Sequence, residues 1–285
     1  FVAAASEDVS SYEVDSTLSP TINDEKRDEL VKRSSSENID LEAGYGGALG
    51  TIWSPYAPGG CKSEDQAANE IRSLSGFNVI RIYHTDCGQV ERLIKYKAPG
   101  QKVFLGVYYM NSLDQDLQNM RDQLWHYGHW DDVFAVSIGN EMVNDGKVNP
   151  GQVNEYTSRA RNYLRSNGYN GPVVAVDTFY AFYQHPELCE YSDIIMVNAH
   201  AYFDGGVSSG DAGGWLLAQI QHTWGVCHDR TGQDKRVVIS ESGWPSRGVT
   251  YGNAVASKDD QRRAIDSIKR TCADATFLFT SYNDP

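Results

Sequence analysis

The chain has 285 residues, 40% of them apolar and 22% charged, enough for one large α/β barrel or two ordinary domains. No apolar run approaches the ~20 residues that span a bilayer, so no membrane partner is expected. A formal net charge of −13 would repel nucleic acid and anionic lipid alike, and suits an uncharged or cationic partner instead.

Residues 1–33 stand apart from the rest. They hold 8 acidic and 4 basic residues, few large apolar ones and no sustained period, the composition of a disordered pro-segment or linker. The stretch ends at Lys32-Arg33, a dibasic pair of the kind that secretory processing enzymes cut. Residues 34–285 are expected to form one folded domain.

After a Gly-rich entry (Gly44, Gly46, Gly47, Gly50), short β-branched or aromatic runs alternate with longer polar segments of helical spacing. The runs read as strands are Leu49 to Trp53, Val79 to Tyr83, Val103 to Tyr108, Val133 to Ile138, Val173 to Val176, Ile194 to Val197, Val237 to Ser240 and Thr276 to Thr280. Helices are expected over Glu64 to Leu74, Leu113 to Tyr127, Val153 to Asn167, Gly214 to Trp224 and Lys258 to Cys272. Strands apolar on both faces and alternating with helices call for a parallel sheet, and eight of them for a closed (β/α)₈ TIM barrel. An open doubly wound sheet would show a Gly-rich phosphate turn after its first strand, where this chain has Ser54-Pro55-Tyr56-Ala57-Pro58. The sequence stops at Pro285, soon after the eighth run, so the barrel is expected to lack its last helix in this chain.

Barrel enzymes place their chemistry at the C-terminal ends of the strands. The fourth run leads into Ser137-Ile138-Gly139-Asn140-Glu141, and the seventh into Ser240-Glu241-Ser242-Gly243-Trp244-Pro245. Each delivers a carboxylate to the barrel mouth, and strands four and seven face one another across it. Glycoside hydrolysis needs such a pair, one group to protonate the leaving oxygen and one to attack or stabilise the anomeric carbon. A single strand-end Glu is as well explained by the dipole of the following helix; two, on these strands, favour catalysis.

These two motifs resemble those of glycoside hydrolase family 17. Trp53-Ser54-Pro55-Tyr56, Gly60-Cys61-Lys62-Ser63, Val79-Ile80-Arg81-Ile82-Tyr83, Val173 to Thr178 and Val197 to Asp204 add to the resemblance. It runs from about residue 45 to the end, is similar to the fungal cell-wall branch, and departs from it at Trp53, where a Tyr is expected. It implies a secreted, wall-located catalytic domain that cleaves β-1,3-glucan with retention, by hydrolysis or by transfer to another glucan, and without cofactor or metal. By the same resemblance Glu141 is the acid/base and Glu241 the nucleophile. Arg81 and Tyr202 would be the donors that keep Glu241 ionised, and Asn140 would bond the sugar 2-hydroxyl. A silent glucan-binding wall protein and a glycosidase of a β-1,4 polymer are the alternatives.

Tyr83, Phe179, Tyr202 and Trp244 lie at strand ends, where a ring can stack on a sugar or simply pack in the core; Trp244 is the foremost platform candidate. Asp177 is placed to bind a sugar hydroxyl or to cap the next helix, and His84 and His200 to touch substrate. Cys61, Cys87, Cys189, Cys227 and Cys272 have no metal-ligand spacing, and their odd number leaves at least one outside any intrachain disulfide.

Overall fold

The structure, a computed structural model, describes residues 47–282; the segment 1–33 and its Lys32-Arg33 pair lie outside the described residues. Eight parallel strands close a barrel: β1 (Gly50–Ile52), β2 (Val79–Arg81), β3 (Lys102–Val107), β4 (Val133–Ile138), β5 (Val173–Thr178), β6 (Ile195–Asn198), β7 (Val237–Ser242) and β8 (Thr276–Leu278). β8 returns to pair with β1. The eight runs read from sequence are these strands, with ends that differ by at most two residues.

The helices are α1 (Glu64–Ser73), α2 (Gln89–Tyr96), α3 (Leu113–Tyr127), α4 (Pro150–Ser166), α5 (Phe179–Gln184), α6 (Leu188–Tyr191), α7 (Ala212–Thr231) and α8 (Lys258–Cys272). Their starts follow from capping chemistry. Ser63 with Gln66 and Asn149 with Gln152 form reciprocal capping boxes on α1 and α4, Pro150 opens α4, and Ser257 caps α8. The sequence pattern misses α2, α5 and α6. The two turns of α2 are too short for a period to stand out, and α5 reads Phe-Tyr-Ala-Phe-Tyr-Gln with no polar face. Among the described residues no helix follows β8; Thr280 and Ser281 turn back instead, and both hydroxyls donate to the Ile52 carbonyl of β1 (3.1 and 2.6 Å).

Two disulfides, Cys61–Cys87 and Cys189–Cys227, staple the outer layer, and Cys272 is free and buried. The first ties the hairpin after β1 to the loop after β2, both on the mouth side.

Alternation along the strands sorts the core. On β2, Val79 joins the barrel interior while Ile80 packs outward under the helices. Phe104, Phe134 and Phe277 fill the interior with ring centroids 5.6 to 6.1 Å apart. On β7, Val237 and Ile239 face the helices and Val238 the interior, so strict alternation would send Glu241 outward. A bulge prevents this. Val197 and Asn198 of β6 pair with Ile239 and Glu241, and Thr276 and Leu278 of β8 pair with Ile239 and Ser242, so β7 carries one extra residue against both neighbours. Bulges of this sort re-aim side chains beside active sites.

Barrel closure leaves no room at the first strand. A Cβ at Gly50 would lie 2.5 Å from the Val79 carbonyl and collide with the Phe277 ring. Gly50→Ala is expected to destabilise the protein by about 1–3 kcal/mol, read as a lowered midpoint of thermal unfolding. An unchanged midpoint would mean that β1 and β8 do not meet as described.

Candidate active site

The bulge on β7 places Glu241 at the mouth, almost fully buried at 6% exposure. Its Oε1 accepts from the Tyr83 hydroxyl (2.6 Å) and from Arg81 Nη1 (3.0 Å), and His200 Nε2 lies 3.5 Å from Oε2. Burial alone would raise this carboxyl. His200, Arg81 and Tyr83 outweigh it and hold Glu241 below the usual carboxylate value. Burial and the neighbouring Glu241 charge push the Tyr83 phenol far up, so it remains a protonated donor.

Glu141 reaches the same place by a different device. β4 ends at Ile138, and the chain turns through Gly139 (φ 81°) and Glu141 (φ 53°), both left-handed. For a residue with a side chain this conformation costs ~1–2 kcal/mol, and it persists because the surroundings fix it. The Glu141 amide donates to the Val176 carbonyl of β5 (3.0 Å), and its carbonyl accepts from Asp145 N–H (2.9 Å). Among the described residues its side chain accepts one hydrogen bond, from Asn198 Nδ2 to Oε1 (2.9 Å). Burial first, and the Glu241 charge second, raise the Glu141 carboxyl above its ordinary range, with Asn198 offsetting only part.

One network joins the two acids. Arg81, wholly buried, points Nη1 at Glu241, at the Ser240 carbonyl (2.8 Å) and toward Asn198 Oδ1 (3.5 Å), and Nη2 at Asn140 Oδ1 (3.0 Å). Its guanidinium lies 4.5 Å from the centre of the Tyr83 ring and 5.2 Å from that of Phe104. Asn198 accepts from Ser240 Oγ (2.7 Å) and donates to both Asn140 Oδ1 (3.2 Å) and Glu141. With its oxygen taken twice, Asn140 keeps its amide nitrogen, which bonds to no described residue, for the cleft. One carboxyl raised beside another lowered is an arrangement that suits paired acid/base and nucleophilic chemistry.

The structure thus brings Glu141, Glu241, Asn140, Arg81 and Tyr83 together, and separates the rest. Tyr83 is a hydrogen-bond donor to Glu241 rather than a stacking ring. Tyr202 does not serve Glu241: its hydroxyl donates to the Val249 carbonyl and its ring packs edge-on against Trp244 (5.3 Å). Trp244 is 3% exposed, with its indole N–H on the Val255 carbonyl (2.8 Å), so its faces are closed to a sugar. Phe179 packs edge-on against Tyr183 and Trp215 (both 5.4 Å). Asp177 is buried and receives three backbone N–H groups, from Val143 (2.8 Å), Asn144 (3.2 Å) and Thr178 (2.9 Å), while Thr178 itself caps α5. Burial, only partly offset by those donors, raises Asp177 to about 6. His84 faces Asp116 (3.7 Å) and Tyr109, away from the acids.

Sequence reasoning missed Asn198 and the pairing of His200 with Glu241. The signal was a polar residue directly after an apolar strand, Val197-Asn198-Ala199-His200. It also missed four exposed rings in the loops after β3, β6, β7 and β8: Tyr109 (50% exposed), Phe203 (63%), Tyr251 and Phe279. Phe203 and Phe279 both pack edge-on against His200 (6.0 and 5.7 Å), beside Glu241.

Residues 50–285 match the BtgE/BtgC glycoside hydrolase domain. Among relatives, the chain is 49% identical over 242 residues to the cell surface mannoprotein MP65 of Candida albicans, covering 85% of this chain and 63% of that one. It is 48% identical over 246 residues to the probable family 17 glucosidase SCW4 of Saccharomyces cerevisiae, covering 86% and 63%. The chain therefore spans under two thirds of the length of these relatives. Among solved structures, the glycoside hydrolase family 17 β-1,3-glucanosyltransferase of Rhizomucor miehei superposes with a TM-score of 0.71 at 20% identity, over 83% of this chain and 88% of that one. The likeness carries the barrel fold.

The electrostatic account is open to direct titration. In ¹³C NMR of the side-chain carboxyls, Glu241 is expected to titrate below and Glu141 above the ordinary glutamate range. Tyr83→Phe removes one donor and should move the Glu241 midpoint upward; an unmoved midpoint would contradict the assigned hydrogen bond.

Proposed function

We propose that this chain, which belongs to the BtgE/BtgC glycoside hydrolase family, cleaves internal β-1,3-glucosidic bonds through a covalent intermediate on Glu241. The observation that carries this reading is two buried glutamates on one Arg81–Asn198 network in unlike surroundings, Glu241 among donors that lower its carboxyl and Glu141 with its carboxyl raised. Glu141 gives its proton to the departing glucosidic oxygen as the Glu241 carboxylate attacks the anomeric carbon, forming a glycosyl ester. Glu141, now ionised, takes a proton from the incoming hydroxyl, whose oxygen displaces Glu241 and restores the starting configuration. Asn140 offers its free amide N–H to the 2-hydroxyl of the sugar in reaction.

Several features support a β-glucan as substrate. The net charge of −13 suits a neutral polymer, and the exposed rings of Tyr109, Phe203, Tyr251 and Phe279 offer flat apolar faces around the mouth. The Rhizomucor miehei enzyme is described as a β-1,3-glucanosyltransferase, and an active-site mutant of it was crystallised with laminaritriose. The two disulfides fit an oxidising compartment, and a relative at 49% identity is a cell surface mannoprotein, so the site of action is placed outside the cell, at the wall. Transfer and hydrolysis share the glycosyl ester and differ only in the hydroxyl that reaches it.

Laminari-oligosaccharides followed by ¹H NMR test the reading, with the β-anomer expected first; initial release of the α-anomer, or cleavage confined to a β-1,4 polymer, would overturn it. Glu241→Gln should lower kcat on the order of 10⁴-fold or more. The pH profile of kcat/KM should be bell-shaped. Its acid limb reports Glu241, held low, and activity appears as pH rises through it; its basic limb reports Glu141, held high, and activity is lost above it. Glu141→Gln should abolish the basic limb, and its survival would assign that limb to another group.

A further inference from the structure

The geometry points to Asp177 as a positioning residue for the acid/base, acting through the backbone turn that carries Glu141 rather than through substrate. This rests on the proposed roles of Glu141 and Glu241.

Glu141 has little of its own to fix its place. Its side chain accepts a single hydrogen bond from a described residue, from Asn198, and its backbone is left-handed at φ 53°. The carboxyl is therefore aimed by the turn 139–148, and the turn is held from outside by three consecutive residues of β5. The Val176 carbonyl accepts the Glu141 amide (3.0 Å). The Asp177 carboxylate takes two further amides of the turn, Val143 N–H on Oδ2 (2.8 Å) and Asn144 N–H on Oδ1 (3.2 Å). Thr178 Oγ1 donates to the Asn144 side chain (3.0 Å). Within the turn, the Gly146 amide donates to the Val143 carbonyl (2.9 Å), and the amide of Asp145, next to Asn144, donates to the Glu141 carbonyl (2.9 Å), so the clamp on residues 143 and 144 is passed back to 141.

The chemistry of position 177 requires an acid. Three N–H groups converge on it, with Thr178 N–H the third, and a carboxylate, ionised here above pH of about 6, is the one side chain of that length that only accepts. An asparagine there would turn an NH₂ group toward at least one of those donors. Both oxygens are occupied and the residue is buried, so no sugar hydroxyl needs to reach it for it to matter. A misplacement near 1 Å in a reacting group costs on the order of 100-fold in rate, and releasing residues 143 and 144 frees the turn to move by such an amount.

A leaving-group comparison separates positioning from general support of the fold. Departure of 2,4-dinitrophenolate needs no proton, whereas departure of a glucosyl oxygen does. For Asp177→Asn, kcat/KM on laminarin is expected to fall about 10- to 100-fold, while kcat/KM on a 2,4-dinitrophenyl β-laminaribioside stays within about twofold of wild type. Azide, which needs no base, should accelerate turnover of the dinitrophenyl substrate by the variant and not by wild type. Equal losses on both substrates, no loss on either, or absence of the azide effect would overturn the inference. If Asp177→Asn does not fold, Asp177→Glu keeps the charge, displaces the acceptors and faces the same criteria. Failure of wild type itself to cleave laminarin would count against the proposed function, a result distinct from failure of the variant comparison.

Discussion

The ion pair between Arg81 and Glu241 is the constraint around which the mouth of this barrel is organised. A guanidinium with no exposed surface cannot be left alone, because an unpaired buried charge costs several kcal/mol. Glu241 answers that charge at 3.0 Å, and so is itself kept ionised in a place where burial would otherwise protonate it. The remaining donors on Arg81 then dictate the amides. Asn140 must turn its oxygen toward Nη2, and Asn198, its oxygen taken by Ser240, must turn its nitrogen toward Asn140 and Glu141. One buried cation thus orients both side-chain amides and sets the protonation of one acid.

The second acid follows from the first. Glu141 is buried beside the Glu241 carboxylate, and burial together with that charge raises its carboxyl above the ordinary range. The asymmetry is built into backbone as well. Glu241 sits on a strand, re-aimed by a one-residue bulge and surrounded by donors, while Glu141 sits beyond its strand on a left-handed turn, its side chain bonded to Asn198. Glu241 is fixed by its contacts, Glu141 by the turn beneath it.

The barrel was legible because its strands are short apolar runs at regular intervals, and the positions of Glu141 and Glu241 because the C-terminal strand ends of a barrel all open on one face. What could not be read was any contact that depends on register. The inward face of Glu241 contradicts plain alternation from Val237 and Ile239 and exists because of the bulge, which no residue type announces. Aromatic residues deceived most. Trp244 and Tyr202 look like sugar platforms by position but are packed against each other, while Tyr83 spends its hydroxyl on Glu241. The rings open to solvent lie a few residues farther on, in loops where no pattern constrains the outlook of a side chain. Asp177 was placed at a strand end correctly, yet its partners belong to the turn after β4, a contact no local pattern contains.

In the proposed mechanism Glu241 is the residue that holds the sugar. Incubation with a 2-deoxy-2-fluoro-β-laminaribiosyl fluoride, followed by proteolysis and mass spectrometry of the peptides, reads this directly. A fluorosugar ester on Glu241, formed by wild type and absent from Glu241→Gln, is the expected result. A label on any other residue, or none while laminarin is still cleaved, would contradict it.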